Sequence, residues 1–395
     1  MPRREEKRNL ETIPVGTLGV IPLRGCRPLA ERVDQFLVGW RTERENEHKG
    51  SLAFTGYERD SYLLSTDVPR FGTGEGKGVI NESVRGADLY LLIDVLNHAQ
   101  TYKLFGKDNH MSPDDHYQDL KRIIAAIGGK ARRITVIMPF LYEGRRHKRN
   151  ARESLDCAIA LQELIRMGVD NIITFDAHDA RVQNAIPLHG FETVRTTYQF
   201  LKALLRHVRD LEIDAQHMMV ISPDEGGMSR AIYLASVLGL DVGMFYRRRD
   251  YTTIVDGRSP VIAQEFLGAS VEGKDLIIID DMISSGESIL EVAQQMKKRG
   301  AKRVFVFATF GMFTRGLEDF DAAHEQGYFD MLFTTNLIWQ SPELLERSWY
   351  ADCDMSKYIA YLIDTLNHDA SISDLLNPVE RIHELVGNYR AETGR

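Results

Sequence analysis

The stretch from Lys274 to Ser288, Lys-Asp-Leu-Ile-Ile-Ile-Asp-Asp-Met-Ile-Ser-Ser-Gly-Glu-Ser, narrows the choice of fold more than any other part of the chain. Leu276 to Ile279 form an unbroken apolar run of strand length, which suits a strand covered on both faces in a parallel sheet. Two carboxylates follow, Asp280 and Asp281, and then a turn of small residues. Beyond the turn, Ile289, Val292 and Met296 recur with helical period and stop at Gly300. The pattern predicts a strand, an acidic pair, a tight turn and a helix start. Backbone N–H groups of Ser285, Gly286, Glu287 and Ser288 would then converge at the positive end of a helix dipole, an arrangement that attracts phosphate. The carboxylates ahead of the turn can accept hydrogen bonds from vicinal hydroxyls or hold Mg²⁺. Phosphate on one side and hydroxyls on the other describe a sugar phosphate.

The same unit recurs along the chain. Apolar runs at Leu18–Leu23, Leu89–Ile93, Ile134–Phe140, Ile172–Phe175, Met218–Ser222, Val242–Tyr246, Arg303–Phe307 and Leu332–Trp339 read as strands, with helical patterns between most of them. Ligands of open α/β sheets bind at the carboxyl ends of strands, so the residues found there are the candidates. Asp176 and His178 follow one strand, and Asp224 with Gly226 and Gly227 follows another. Arg145, Arg146, His147, Lys148, Arg149 and Arg152 follow a third, and arginine suits multidentate phosphate contacts. Arg247-Arg-Arg opens a polar stretch reaching Pro260, which reads either as a closing lid or as a solvated turn. The glycines around Phe71, Glu75 and Lys77 point to backbone that approaches something closely, or to a plain turn between strands. His98, His110 and His116, with Asp114 and Asp115, match no metal-ligand spacing and read as a surface insertion. The charged stretch Arg41 to Lys49 reads as a solvated excursion.

Bulk properties bound the function classes. A chain of 395 residues exceeds one ordinary core and predicts two domains. A formal charge of −8 gives no electrostatic reason to bind nucleic acid. Cys26, Cys157 and Cys353 are too widely spaced for a metal site and read as reduced thiols of a cytoplasmic protein. The charged N-terminus lacks a signal-peptide pattern, and no apolar stretch has a membrane helix's length, so no membrane association is expected.

Five separated segments, in order, resemble the ribose-phosphate pyrophosphokinases (phosphoribosyl pyrophosphate synthetases). Asn81-Glu-Ser-Val-Arg-Gly, with Phe71 and Glu75 upstream, is similar to the family's adenine-binding region. Phe175-Asp-Ala-His and Ser222-Pro-Asp-Glu-Gly-Gly resemble its two metal-binding strands, and Arg247-Arg-Arg its catalytic loop. Ile278-Ile-Asp-Asp-Met-Ile resembles its ribose 5-phosphate signature, which type I phosphoribosyltransferases share in weaker form. The resemblance implies an α/β fold with two tandem phosphoribosyltransferase-like (type I) domains, each a parallel sheet flanked by helices, with the active site between them. The boundaries expected are 1–195 for the ATP side, 196–370 for the ribose 5-phosphate side and 371–395 for a helical tail.

It also implies transfer of pyrophosphate from ATP to the 1-hydroxyl of ribose 5-phosphate, giving phosphoribosyl pyrophosphate and AMP. ATP would be held by Phe71 and Glu75 at adenine, by Arg145 and Arg146 at the triphosphate, and by His178. Ribose 5-phosphate would be held by Asp224, Asp280, Asp281 and the loop Ser284, Ser285, Gly286, Glu287 and Ser288. His178 and Asp224 would contact Mg²⁺, and Arg247 and Arg249 would be catalytic. A homo-oligomer, a hexamer or a smaller even assembly, is implied as well. This chain departs from the family pattern at Arg247 (usually lysine), Ser284 (usually aspartate), Glu287 (often glycine) and Arg146 (usually glutamine), and carries insertions near 41–66 and 97–118. Two other readings remain: a regulatory paralogue that binds without turnover, and a phosphoribosyltransferase that consumes the activated sugar.

Overall fold

The computed structural model describes residues 12–44, 54–149, 152–249 and 261–394, without the side chains of 247–249 and 261–264. The chain divides into two compact units. One comprises residues 1–195, 336–339 and 354–377, and the other 196–335, 340–353 and 378–395.

In the first unit the strands Thr17–Pro22, Ala87–Leu92, Arg133–Ile137, Asn171–Phe175 and Gly190–Val194 lie side by side in that order, all parallel. Every residue of Ala87–Leu92 is buried, which suits the apolar run Leu89–Leu92, and its one charge, Asp88, accepts from Arg133 Nε at 2.8 Å. The helices Pro113–Ile127 and Asp156–Arg166 contribute Leu120, Ile123, Ile124, Leu161 and Leu164 to the same core as Leu89, Leu91 and Val136.

Two sequence expectations fail in this unit. The stretch beginning at Arg41 is not wholly solvated. Arg41 is 1% exposed, and its Nε donates to Asp364 Oδ1 at 3.0 Å. Arg44 Nη2 donates to Asp364 Oδ2 at 2.5 Å, while residues 45–49 lie outside the described ones. A buried guanidinium needs such an anion to offset its desolvation. The other failure concerns the C-terminal region, expected to continue the second domain to residue 370. Its helix Ser356–Asn367 packs instead on Arg27–Glu43, with Trp40 stacked on Tyr361 at 4.3 Å, and Asn367 Nδ2 donates to Asp88 at 2.8 Å. With these contacts, residues 354–377 fall in the first unit.

The insertion near 97–118 is a short antiparallel hairpin, Thr101–Leu104 with Lys107–His110. A helix follows from Pro113, where Ser112 and Asp115 close a capping box. Its histidines act as fasteners: the His110 ring meets His98 O at 2.7 Å and the His116 ring meets Asn97 O at 2.9 Å.

The second unit holds a sheet in the order Val261–Leu267, Asp241–Arg249, Met218–Ser222, Asp275–Ile283, Arg303–Gly311, Met331–Thr335 and Tyr350–Cys353. Only the pair Asp241–Arg249 and Val261–Leu267 is antiparallel. The chain starts at Met218–Ser222, runs outward through two strands, then returns to the inner side of its starting strand. That reversal makes a topological switch point between Met218–Ser222 and Asp275–Ile283, the place where such sheets bind ligands. Arg247 to Arg249 belong to a strand, not to the expected loop, because the backbone pairing with Val261–Leu267 continues through them. Cys26, Cys157 and Cys353 are buried free thiols. No helix among the described residues is long and apolar enough to cross a membrane.

Candidate functional site

At the switch point, the strand opened by Leu276 does not end before its acidic pair. Its ladder with Arg303–Gly311 continues past Asp280↔Ala308 to Ile283↔Gly311, so the strand itself carries the carboxylates. Asp281 is 3% exposed, with its Oδ2 3.4 Å from Nη2 of the buried Arg230. The Asp281 N–H donates to Asp280 Oδ1 at 2.8 Å. Burial, then the like charges of Asp281 and Asp224, hold the Asp280 carboxyl well above the ordinary carboxylate range. A crowd of oxygen donors in this state accepts either hydroxyl protons or a hard divalent cation such as Mg²⁺.

Asp224 reaches this crowd through a tight turn after Met218–Ser222. Ser222 Oγ donates to Asp224 O at 2.7 Å, and the Gly227 N–H donates to Asp224 Oδ1 at 3.1 Å. A Cβ on Gly227 would sit 2.9 Å from Ser222 Oγ, so a side chain there would push that hydroxyl off its bond to Asp224. The helix Met228–Leu238 begins there and carries Arg230 toward Asp281.

The loop beyond Ile283 has the predicted form. Gly286 has φ +90°, and the helix Glu287–Lys298 follows directly. Among the described residues, no protein acceptor takes the N–H of Ser285, Gly286, Glu287 or Ser288. The loop is fixed from behind, since the Met312 N–H donates to Ile283 O and the Thr314 N–H to Ser284 O, each at 2.9 Å. A Cβ on Gly286 would lie 2.2 Å from Cζ of the buried Phe320. Positive φ and a blocked Cβ position make the residue irreplaceable. Gly286→Ala is expected to destabilise the protein by about 3 kcal/mol, read by urea denaturation.

In the first unit, the strands Arg133–Ile137 and Asn171–Phe175 end side by side. Their carboxyl ends bring the arginine run and His178 together. His147 Nε2 lies 3.4 Å from Asp179 Oδ2, and the rings of His147 and His178 are 5.4 Å apart. Arg145, Arg146 and His178 are all exposed there, and Arg146 N–H donates to Glu143 O at 2.7 Å. Burial lowers the affinity of His147 for its proton, against the pull of Asp179.

Phe71 and Glu75 occupy a separate, braced loop. The Phe71 N–H donates to Glu75 O at 2.7 Å, and the Phe105 N–H of the inserted hairpin donates to Gly72 O at 2.7 Å. Arg70 supports the base of the loop, pairing with Asp119 at 2.8 Å and lying over the Tyr102 ring. Phe71 is 53% exposed. Two of the surrounding glycines answer to internal packing. A Cβ on Gly78 would meet Arg122 O at 2.3 Å, and one on Gly74 would meet Leu104 at 2.8 Å.

Arg247 and Arg249 lie on their strand with side chains outside the described atoms. Sequence reasoning missed Arg230 and Phe320, and it named His147 without foreseeing its approach to Asp179 and His178. Arg230 was signalled by its place in the first helical turn after Gly227, three residues on. Phe320 had no local signal, since its contact with Gly286 spans a helix, a strand and a turn.

Comparison with known proteins gives the same architecture. The family model described as the N-terminal domain of ribose phosphate pyrophosphokinase matches residues 18–168, and the phosphoribosyl transferase domain matches 196–340. The crystal structure of a phosphoribosylpyrophosphate synthetase from Mycobacterium smegmatis covers 90% of this chain and 100% of its own, with a TM-score of 0.70 at 20% identity, a likeness of fold. Ribose-phosphate pyrophosphokinases of Vibrio vulnificus (strain YJ016) and Pasteurella multocida (strain Pm70) are each 30% identical to this chain. The alignments take in 80% and 79% of this chain and 92% and 90% of those proteins. With both halves matched in order and full-length relatives at this identity, the chain belongs to the ribose-phosphate pyrophosphokinase family of enzymes.

Proposed function

We propose that the protein transfers the β,γ-pyrophosphoryl group of ATP to the 1-hydroxyl of ribose 5-phosphate. The hydroxyl oxygen bonds to the β-phosphorus and releases its proton to water. The bond from that phosphorus to the α,β-bridging oxygen breaks, and AMP departs with the electron pair. The observation that carries this reading is the switch-point site, where Asp280 and Asp281 lie on the strand leading into four backbone N–H groups that take no protein acceptor among the described residues. Vicinal hydroxyls and a terminal phosphate on one small molecule match that pairing.

In this reading, Asp280 and Asp281 accept from the ribose hydroxyls, and the loop Ser284 to Ser288 takes the 5-phosphate. Phe71 stacks on adenine, Glu75 hydrogen-bonds it, and Arg145 and Arg146 neutralise the triphosphate. Asp224 and His178 would hold Mg²⁺, whose charge draws electron density from the β-phosphorus when bound. Arg247 and Arg249 stabilise the charge that develops in transfer. The protein works as an even-numbered homo-oligomer.

The test is incubation with ATP, Mg²⁺ and ribose 5-phosphate, with nucleotide products separated by chromatography. One AMP per pyrophosphorylated sugar is expected. ADP alone, or no nucleotide product from a folded sample, would refute the reaction. A second reading, a regulatory paralogue, draws on Arg247 and Ser284 standing where the family usually has lysine and aspartate. It predicts binding of both substrates with no AMP release, so the same experiment separates the two.

A further inference from the structure

The anion loop carries an acid of its own. Glu287 is the first residue of the helix Glu287–Lys298, and its side chain is 66% exposed. A carboxylate there is drawn to the same N–H groups that a ligand phosphate would use, and it repels a phosphate dianion. The chain meets this with a second charge, since Arg315 forms an ion pair with Glu287. Arg315 is itself 57% exposed, and an ion pair so open to solvent adds little to folding stability. Stability is therefore a poor reason for its presence.

The turn that presents Arg315 is built with some strain. Phe313 has φ +47°, an uncommon value for a residue with a side chain. It keeps that conformation with its ring edge-on to Phe320 at 5.0 Å, the same Phe320 that lies beneath Gly286. One residue on, the Thr314 N–H donates to Ser284 O at 2.9 Å. Arg315 thus extends from a turn fastened to the phosphate loop by a hydrogen bond and by a shared aromatic floor. Strained backbone held this firmly marks a place where position matters.

We infer that Arg315 sets the phosphate affinity of this loop by holding the Glu287 carboxylate off the N–H groups of Ser285 to Ser288. The pair lets an acid-bearing loop accept a dianion. This inference rests on the reading of the loop as the 5-phosphate site, and it makes Arg315 a positioning residue that acts through Glu287.

Ribose 5-phosphate binding is measured by calorimetry at low salt on the full chain and on Arg315→Ala, Arg315→Lys and the double variant Arg315→Ala/Glu287→Gln, with MgATP binding as the control. Arg315→Ala is expected to weaken ribose 5-phosphate binding about ten-fold and leave MgATP binding unchanged. Arg315→Lys, which keeps the charge, is expected within about three-fold of the parent. The double variant, which removes the acid with its partner, is expected to recover to within about three-fold as well. That recovery is the readout a merely structural role would not produce. Unchanged affinity in Arg315→Ala overturns the inference. So does a double variant as weak as the single one, because Arg315 would then contact the phosphate directly. A parent protein that binds MgATP but no ribose 5-phosphate overturns the proposed function and this inference together, whereas failure confined to the variants leaves the proposed function standing.

Discussion

Asp281→Asn is expected to raise the KM for ribose 5-phosphate by about two orders of magnitude while the KM for ATP changes less than about three-fold. In the proposed function this carboxylate accepts from the ribose hydroxyls, and hydrogen bonds to a charged group contribute about 1.5–3 kcal/mol each. The amide keeps the shape but replaces one acceptor with a donor, which confronts a hydroxyl wrongly. The substitution also removes the negative charge 3.4 Å from the buried Arg230, so a drop in stability accompanies it. Urea denaturation separates that drop from the kinetic effect. Equal losses for both substrates would contradict the assignment of the sugar to this strand.

The same variant changes the pH profile. In the parent, Asp280 is held above the ordinary carboxylate range of about 4. A folded-state pKa raised this way means the ligand-free fold loses stability as pH rises through it, and that hydroxyl binding, which needs the ionised form, weakens as pH falls through it. The acid limb of ribose 5-phosphate affinity therefore lies above about pH 4 in the parent and moves down in Asp281→Asn, because one like charge is gone. An acid limb that does not move would show that Asp280 and Asp281 do not sense one another.

How much of this was legible beforehand depended on sequence distance. The strand, acidic pair, turn and helix from Lys274 to Lys298 are contiguous, so period and glycine position were enough to read them. The strand's real end was not, because the partner residues Phe310 and Gly311 decide it from across the sheet. Arg41 illustrates the same limit. Its charge sits in a charged stretch, yet it is buried because Asp364, over three hundred residues later, lies beside it. Arg247 to Arg249 read as loop for lack of apolar alternation, whereas backbone pairing with Val261–Leu267 keeps them in strand. Glu287 was visible as a departure from the family pattern, but its partner Arg315 lies beyond the next strand, and charge alone gave no reason to choose it. Local chemistry was readable. Partners brought together by the sheet were not.

Arg247→Ala is expected to lower kcat by about two to three orders of magnitude with both KM values within about three-fold of the parent. In the proposed transfer, negative charge spreads over the oxygens around the β-phosphorus only as the bonds exchange. A cation that meets that charge therefore acts on the transition state and leaves ground-state binding nearly untouched. Arg247 is positioned by the strand Asp241–Arg249, whose pairing with Val261–Leu267 slips in register between Arg248 and Arg249. Arg247→Lys tests what the family's usual residue would do here. Guanidinium and ammonium carry the same charge but differ in shape, so Arg247→Lys should retain at least about a tenth of parental kcat if charge is the main requirement. A loss as deep as that of alanine would mean that the fork of the guanidinium is used. A gain in turnover would mean that arginine at this position restrains the enzyme, and would turn the argument toward the regulatory reading. Raised KM values at constant kcat would remove Arg247 from the chemical step altogether.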